Sequence, residues 1–176
     1  MQLENKVFLN LIMIPKNRAV FLDRDGVLNK DRIDYVKNIG ELEIFPNIGE
    51  CIKRINDRGF LAIVVTNQSA IGRKLMTNTD VENIHNYIQK FLKKYNAKID
   101  AFYYCPHHPI DNCNCRKPKP GLLVKAAHDF SVDLKTSWMI GDHDRDMESG
   151  IGAGCKSIKI TSENTLDNIV DDILKT

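Results

Sequence analysis

Imbalance of charge is what this sequence most plainly lacks: 25 lysines and arginines stand against 23 aspartates and glutamates, a formal net charge of +2. Chains that hold nucleic acid or an anionic membrane surface need a lopsided balance. Neither partner is expected, and any recognition of anions has to be local. Long apolar runs are missing too. No stretch approaches the roughly 18 residues required to cross a bilayer. The run Val7 to Ile14 is short, follows only Lys6 and has no small-residue cleavage site. It reads as an extra strand or arm within residues 1–17. Repeats and low-complexity segments are absent. So is an even set of cysteines: there are five, and Cys105, Cys113 and Cys115 crowd into eleven residues beside two histidines. Such crowding points to metal rather than disulfides. Thiols kept reduced for that purpose imply a cytoplasmic protein.

What is present is a chain of 176 residues with 43% hydrophobic content, enough for one domain over residues 18–176. Apolar runs rich in β-formers end in polar loops at Ala19 to Asp23, Leu61 to Thr66, Ile99 to Cys105, Trp138 to Gly141 and Ser157 to Ile160. Helical stripes lie between most of them: Ile48, Cys51, Ile52 and Ile55; Val81, Ile84, Tyr87, Ile88, Phe91 and Leu92; Leu122, Leu123, Ala126 and Phe130. Leu166, Ile169, Val170 and Ile173 mark a terminal helix. Strands alternating with helices predict an α/β fold with a doubly wound, mostly parallel, Rossmann-like sheet. Ligands of such sheets sit beyond the carboxyl ends of the strands, where this chain places Asp23, Asp25, Thr66, Asn67, Gln68, Asp142 and Asp146.

Phe21-Leu22-Asp23-Arg24-Asp25-Gly26 sets two carboxylates two residues apart as an apolar strand gives way to a glycine turn. Residues i and i+2 of an extended chain point the same way, so both are expected to face one reactant. Asp23 is the candidate nucleophile, because a carboxylate can attack phosphorus and divide one hard hydrolysis into two displacements. Asp25, its pKa raised by local charge, is the candidate acid and base for the leaving alkoxide and the attacking water. Phosphate beside carboxylates calls for a cation with hard oxygen ligands, for which magnesium is suited. Asp142 in Gly141-Asp142-His143-Asp144-Arg145-Asp146 would add a ligand, with Asp146 either supporting it or merely opening a helix. Thr66 and Lys117 would hold the transferring oxygens.

Cys105-Pro106-His107-His108 and Cys113-Asn114-Cys115 offer three thiolates and an imidazole, a set that closes a tetrahedral zinc site. Cys105, His107, Cys113 and Cys115 are the expected ligands, with His108 as the substitute imidazole. A closed site is structural, and this loop, 105–115, runs straight into Arg116 and Lys117. Cys51 and Cys155 read as small apolar fillers.

The four segments, in this order, resemble the four motifs of the haloacid dehalogenase (HAD) superfamily. The resemblance implies that Asp23 is the nucleophile and that Asp25 is the acid and base and offers its backbone carbonyl to magnesium. It implies that Thr66 and Lys117 hold phosphate and that Asp142 binds magnesium. With the zinc loop, Thr66-Asn67-Gln68-Ser69 and Cys115-Arg116-Lys117-Pro118-Lys119-Pro120-Gly121, residues 18–160 resemble the D,D-heptose 1,7-bisphosphate phosphatases. Histidinol-phosphate phosphatase domains are close relatives with the same zinc pattern. Ser69-Ala70-Ile71-Gly72-Arg73 and the Pro120-Gly121 pair look more like the heptose branch, whereas His143 stands where that branch usually carries lysine.

The implied activity is removal of the C7 phosphate of D-glycero-D-manno-heptose 1,7-bisphosphate through an aspartyl-phosphate, a step toward lipopolysaccharide precursors. Asn67 and Arg116 would bind substrate, Arg116 gripping the remote phosphate in a bidentate manner. About 22 residues separate Asp25 from the helix at Ile48, too few for a large cap. The site should be open, with selectivity left to Asn29 to Asn38 and the zinc loop, in a monomer. Histidinol phosphate or another small metabolite is the alternative substrate. A non-enzymatic zinc module for nucleic acid would need aromatics interleaved with basic residues, but the five tyrosines and seven phenylalanines fall mostly in apolar patterns.

Overall fold

The computed structural model describes residues 16–175. Most of the expected amino-terminal arm, residues 1–15, lies outside them. At its end, Asn17 bridges to Val132 and donates its backbone N–H to the Ser131 carbonyl at 2.9 Å.

Five strands carry the fold: β1 (Arg18–Leu22), β2 (Phe60–Asn67), β3 (Ala101–Cys105), β4 (Trp138–Gly141) and β5 (Lys156–Lys159). Their order is β3-β2-β1-β4-β5 and every pairing is parallel. The period of two in β1 shows why the sheet is buried on both sides. Val20 and Leu22 enter one core with Val64, Ile52, Ile84 and Val170. Ala19 and Phe21 enter the other with Ile63, Leu123, Ala126 and Met139. Each fully buried aliphatic side chain of this kind contributes about 1.5–3 kcal/mol by leaving water.

The helices follow from the same patterning. On the first face lie α1 (Ile48–Asp57), α3 (Asn78–Lys93) and α6 (Leu166–Ile173), with the short α2 (Ser69–Gly72) directly after β2. α3 opens on a reciprocal cap in which Thr77 Oγ1 accepts from the Asp80 N–H and the Asp80 carboxylate accepts from the Thr77 N–H. On the opposite face α4 (Gly121–Asp129) covers β2 and β3, and α5 (Asp144–Ala153) packs against α4, β4 and β5.

The chain winds outward from β1 to β3, then crosses back to place β4 on the other side of β1. That reversal opens a crevice at the carboxyl ends of β1 and β4. Among the described residues no insertion large enough for a cap lies between β1 and β2 or between β2 and β3. Nor is any helix among them long and apolar enough to cross a membrane.

Candidate active site

Asp23 follows β1 immediately, and its N–H donates to the Ile140 carbonyl at 2.9 Å, extending the β1–β4 ladder by one rung. The chain then turns sharply. Val27, Leu28 and Asn29 all donate to the Arg24 carbonyl, and Gly26 takes φ of +81°. Only glycine suits Gly26: a Cβ there would stand 2.0 Å from Asp142 Oδ2. The close approach brings the first turn against the carboxylate that follows β4. A cavity of about 710 Å³ opens beside Gly26 and Asp142, walled by Val27, Phe45, Ile48, Ile160 and Leu166.

At the floor of the crevice Lys117, 1% exposed, meets three acceptors: Asp23 Oδ2 at 2.9 Å, Asp146 Oδ1 at 2.7 Å and the Val65 carbonyl at 2.8 Å. The Val65 carbonyl accepts a hydrogen bond from the ammonium, and the two carboxylates are its ion-pair partners. Asp23 is itself 3% exposed. Burial pushes its carboxyl above the ordinary value, the Lys117 ammonium opposes that rise, and Asp146 and Asp25 add to it. Asp146 does two things at once: Oδ2 accepts from the His143 N–H at 3.1 Å, opening α5, while Oδ1 pairs with Lys117. Carboxylate oxygens of Asp23, Asp142 and Asp146 all lie within 4.8 Å of one another. Three hard anionic donors against one ammonium is a set that a magnesium ion fits. Asp31 and His143 also approach Asp142, with His143 Nδ1 2.7 Å from Asp142 Oδ1.

Asp25 departs from expectation. A turn begins at Arg24, and the Asp25 carboxylate is not among the three that cluster. It accepts instead from Arg24, Asn29 and Gln68. Burial alone would raise its pKa, but the Arg24 guanidinium and the Asn29 and Gln68 amides outweigh burial and hold it below the ordinary value. The expectation of a raised value is therefore corrected. Thr66, 1% exposed, accepts from Gln68 Nε2 at 3.0 Å.

The loop after β3 gathers Cys105, His107, Cys113 and Cys115. Their sulfurs lie 3.4–3.5 Å apart, and His107 Nδ1 is 3.6 Å from Cys105 Sγ and 3.2 Å from Cys115 Sγ. Metal–sulfur bonds of about 2.3 Å at a tetrahedral ion give ligand separations of about 3.8 Å, so the four are close to that arrangement with all thiols free. Burial pushes the Cys105 thiol up to about 12, so a nearby cation would be needed to ionise it. His108 takes another task, accepting from the Ile110 N–H. Asn67 bonds the backbone. Read from sequence as a substrate ligand, it uses both ends of its amide on the backbone of Lys117, at 3.1 Å each. It ties β2 to the segment that follows the thiols. Arg116 leaves Nη1 buried without a hydrogen-bond partner.

Sequence reasoning gave Arg24 no role, placed Gln68 at a strand end and Asn29 at the start of a selectivity loop, and foresaw none of them as partners of Asp25, although all three are buried. A charged residue between two aspartates of an extended segment should point away from them, so no sequence signal marked Arg24 as their partner.

Residues 114–173 match a family model described as HAD-hydrolase-like. The chain is 40% identical over 155 residues to the D-glycero-beta-D-manno-heptose-1,7-bisphosphate 7-phosphatase of Helicobacter pylori strain J99, covering 88% of each. To the D-glycero-alpha-D-manno-heptose-1,7-bisphosphate 7-phosphatase of Campylobacter jejuni it is 39% identical, covering 84% of each. Among solved structures, the D,D-heptose 1,7-bisphosphate phosphatase of B. bronchiseptica, complexed with magnesium and phosphate, aligns with a TM-score of 0.84 at 28% identity. That alignment covers 90% of this chain and 98% of that one. A fold, a motif order and relatives of this similarity agree: the chain belongs to the HAD-type phosphatases, in the family of the heptose 1,7-bisphosphate phosphatases.

Proposed function

We propose that this chain removes the C7 phosphate of D-glycero-D-manno-heptose 1,7-bisphosphate through an aspartyl-phosphate formed on Asp23. The carrying observation is the convergence of Asp23, Lys117, Asp142 and Asp146 at the β1–β4 crevice, in a chain 40% identical to a heptose bisphosphate phosphatase. In the first displacement an Asp23 oxygen bonds to phosphorus, the bond from phosphorus to the C7 oxygen breaks, and Asp25 passes a proton to that oxygen. In the second, Asp25 takes a proton from water, the water oxygen bonds to phosphorus, and Asp23 departs as a carboxylate. Lys117 and Thr66 hold the oxygens on which charge accumulates.

Asp23, Asp142 and the Asp25 backbone carbonyl would hold magnesium, with Asp146 beside them. When bound, the ion offsets repulsion between phosphate and carboxylates. Cys105, His107, Cys113 and Cys115 would hold zinc in a structural role, fixing Arg116 and Lys117. The unpartnered Arg116 N–H suits the phosphate that is not cleaved. Reduced thiols favour a cytoplasmic setting, and the unit proposed is a monomer.

The test is kcat/KM with magnesium for both anomers of the heptose bisphosphate, fructose bisphosphate and histidinol phosphate. A heptose preference of about 10²-fold is expected, with phosphate released from C7 alone. A preference for histidinol phosphate would overturn the substrate assignment.

A further inference from the structure

Three side chains grip the Asp25 carboxylate together. Oδ1 accepts from Arg24 Nε at 3.0 Å, Arg24 Nη2 at 2.9 Å and Asn29 Nδ2 at 2.9 Å. Oδ2 accepts from Arg24 Nη2 and Gln68 Nε2, both at 2.9 Å. A carboxylate offers about four lone-pair directions, and these contacts occupy them. The grip is deep in the protein: Arg24 is 0% exposed and Gln68 2%. Gln68 reaches two further groups, accepting from Arg24 Nη2 at 3.1 Å and donating to Thr66 Oγ1 at 3.0 Å.

We infer that Arg24 and Gln68 are positioning residues for proton transfer, aiming the Asp25 carboxylate and tying its orientation to Thr66. The inference rests on the proposed role of Asp25 as acid and base. A carboxylate with its lone pairs engaged accepts a proton only by giving up a donor. Arg24 is poorly suited to yield, because its release would leave a buried guanidinium without its counter-charge. Gln68 is better suited, since its amide already has Thr66 Oγ1 as a second acceptor. A phosphoryl oxygen accepting from the Thr66 hydroxyl would polarise that hydroxyl and strengthen its hold on Gln68. Arrival of phosphate would thereby loosen one contact on Asp25 Oδ2 while the arginine fork keeps the carboxylate plane fixed. A proton taken up from solvent at the freed Oδ2 then travels from Asp25 to the leaving oxygen as the phosphorus–oxygen bond breaks, and the attacking water of the second displacement returns one to Asp25.

The experiment compares leaving groups. An alkyl phosphate, such as a sugar phosphate, needs its departing oxygen protonated; p-nitrophenyl phosphate does not. The constant kcat/KM covers steps up to departure of the leaving group, so the later hydrolysis does not enter. Asp25→Asn, Arg24→Lys and Gln68→Met are measured on both substrates with magnesium. Arg24→Lys keeps the charge and loses the fork; Gln68→Met keeps the length and loses the amide. The alkyl-to-aryl ratio of kcat/KM should fall about 10²-fold in Asp25→Asn and about tenfold in the other two. A selective loss in Asp25→Asn with equal losses on both substrates in Arg24→Lys and Gln68→Met would overturn the inference and leave the acid–base role standing. No selective loss in Asp25→Asn would overturn that role and the inference together. If Arg24→Lys does not fold, Gln68→Met, which removes one neutral group, decides alone.

Discussion

The carboxylate cluster and the thiol loop are built by opposite means. Asp23 comes from the end of β1, Asp142 from the end of β4, Asp146 from α5 and Lys117 from the segment before α4, so the cluster exists because a sheet pairs β1 with β4. The loop takes all four of its clustered side chains from residues 105–115, and of these only Cys105 lies in a strand. Topology preforms the first region, and its charges are already balanced in part by a buried ammonium. The second has little apolar surface of its own to bury, so its order has to come from what binds it. Catalytic power and structural integrity are thus expected to separate along this boundary.

The sharpest way to break that comparison is Asp23→Asn. Asparagine keeps the size, and Lys117 retains Asp146 and the Val65 carbonyl. Turnover should fall by about 10⁴-fold or more, with the melting temperature little changed, because one buried anion near two others is neutralised. Retained turnover would remove Asp23 as nucleophile. Cys113→Ser should act in the reverse proportion. We expect loss of bound zinc by elemental analysis, about 3 kcal/mol less stability, and a melting temperature lower by roughly 6–12 °C. Activity should drop about 10–100-fold as Arg116 and Lys117 lose their anchor. Unchanged stability with no zinc would show that the loop orders itself.

The smallest effect probes the packing behind the cleft. His85, 6% exposed, stacks on Phe102 with ring centroids 4.3 Å apart. Burial, aided by the positive charge of Arg24, lowers its pKa to about 3, whereas in the unfolded chain it titrates near about 6.5. A depressed folded value means that its contribution is fully present above the unfolded pKa and is lost as pH falls from there toward 3. Between pH 7.5 and 5.5 this amounts to about 1 kcal/mol. His85→Phe, which keeps a ring on Phe102, should remove that part of the slope in urea titrations. An identical slope in both proteins would exclude His85 as its source.

Much of this architecture was legible in the sequence because it rests on apolar period. Trp138 to Gly141 was read with the bounds of β4, and the stripes of α1, α3, α4 and α6 lie inside the observed helices or within one residue of them. α5 was not legible. Its inward positions are Asp146, Ser149 and Gly150, so no apolar stripe exists to find. Gly150 is needed because a Cβ there would meet Ser157 Oγ at 2.2 Å. At the site, strand ends located Asp23, Thr66 and Asp142 in the right region, since chain order and sheet type fix where loops converge. Side-chain direction after Leu22 was not readable. It depends on a turn in which one carbonyl accepts three N–H groups, and on the buried Arg24, Asn29 and Gln68 donors that take up the Asp25 carboxylate. The tie of Asn67 to Lys117 was hidden for a similar reason, its partner lying fifty residues away.

The enclosure of Lys117 has a chemical corollary. Acylating and carbamylating agents must reach the nitrogen from solvent, and this one lies under a 1% exposed surface between two carboxylates and a carbonyl. Reagents that decorate the other lysines would leave it unmarked until the sheet opens, so a label at this position would record unfolding rather than surface access.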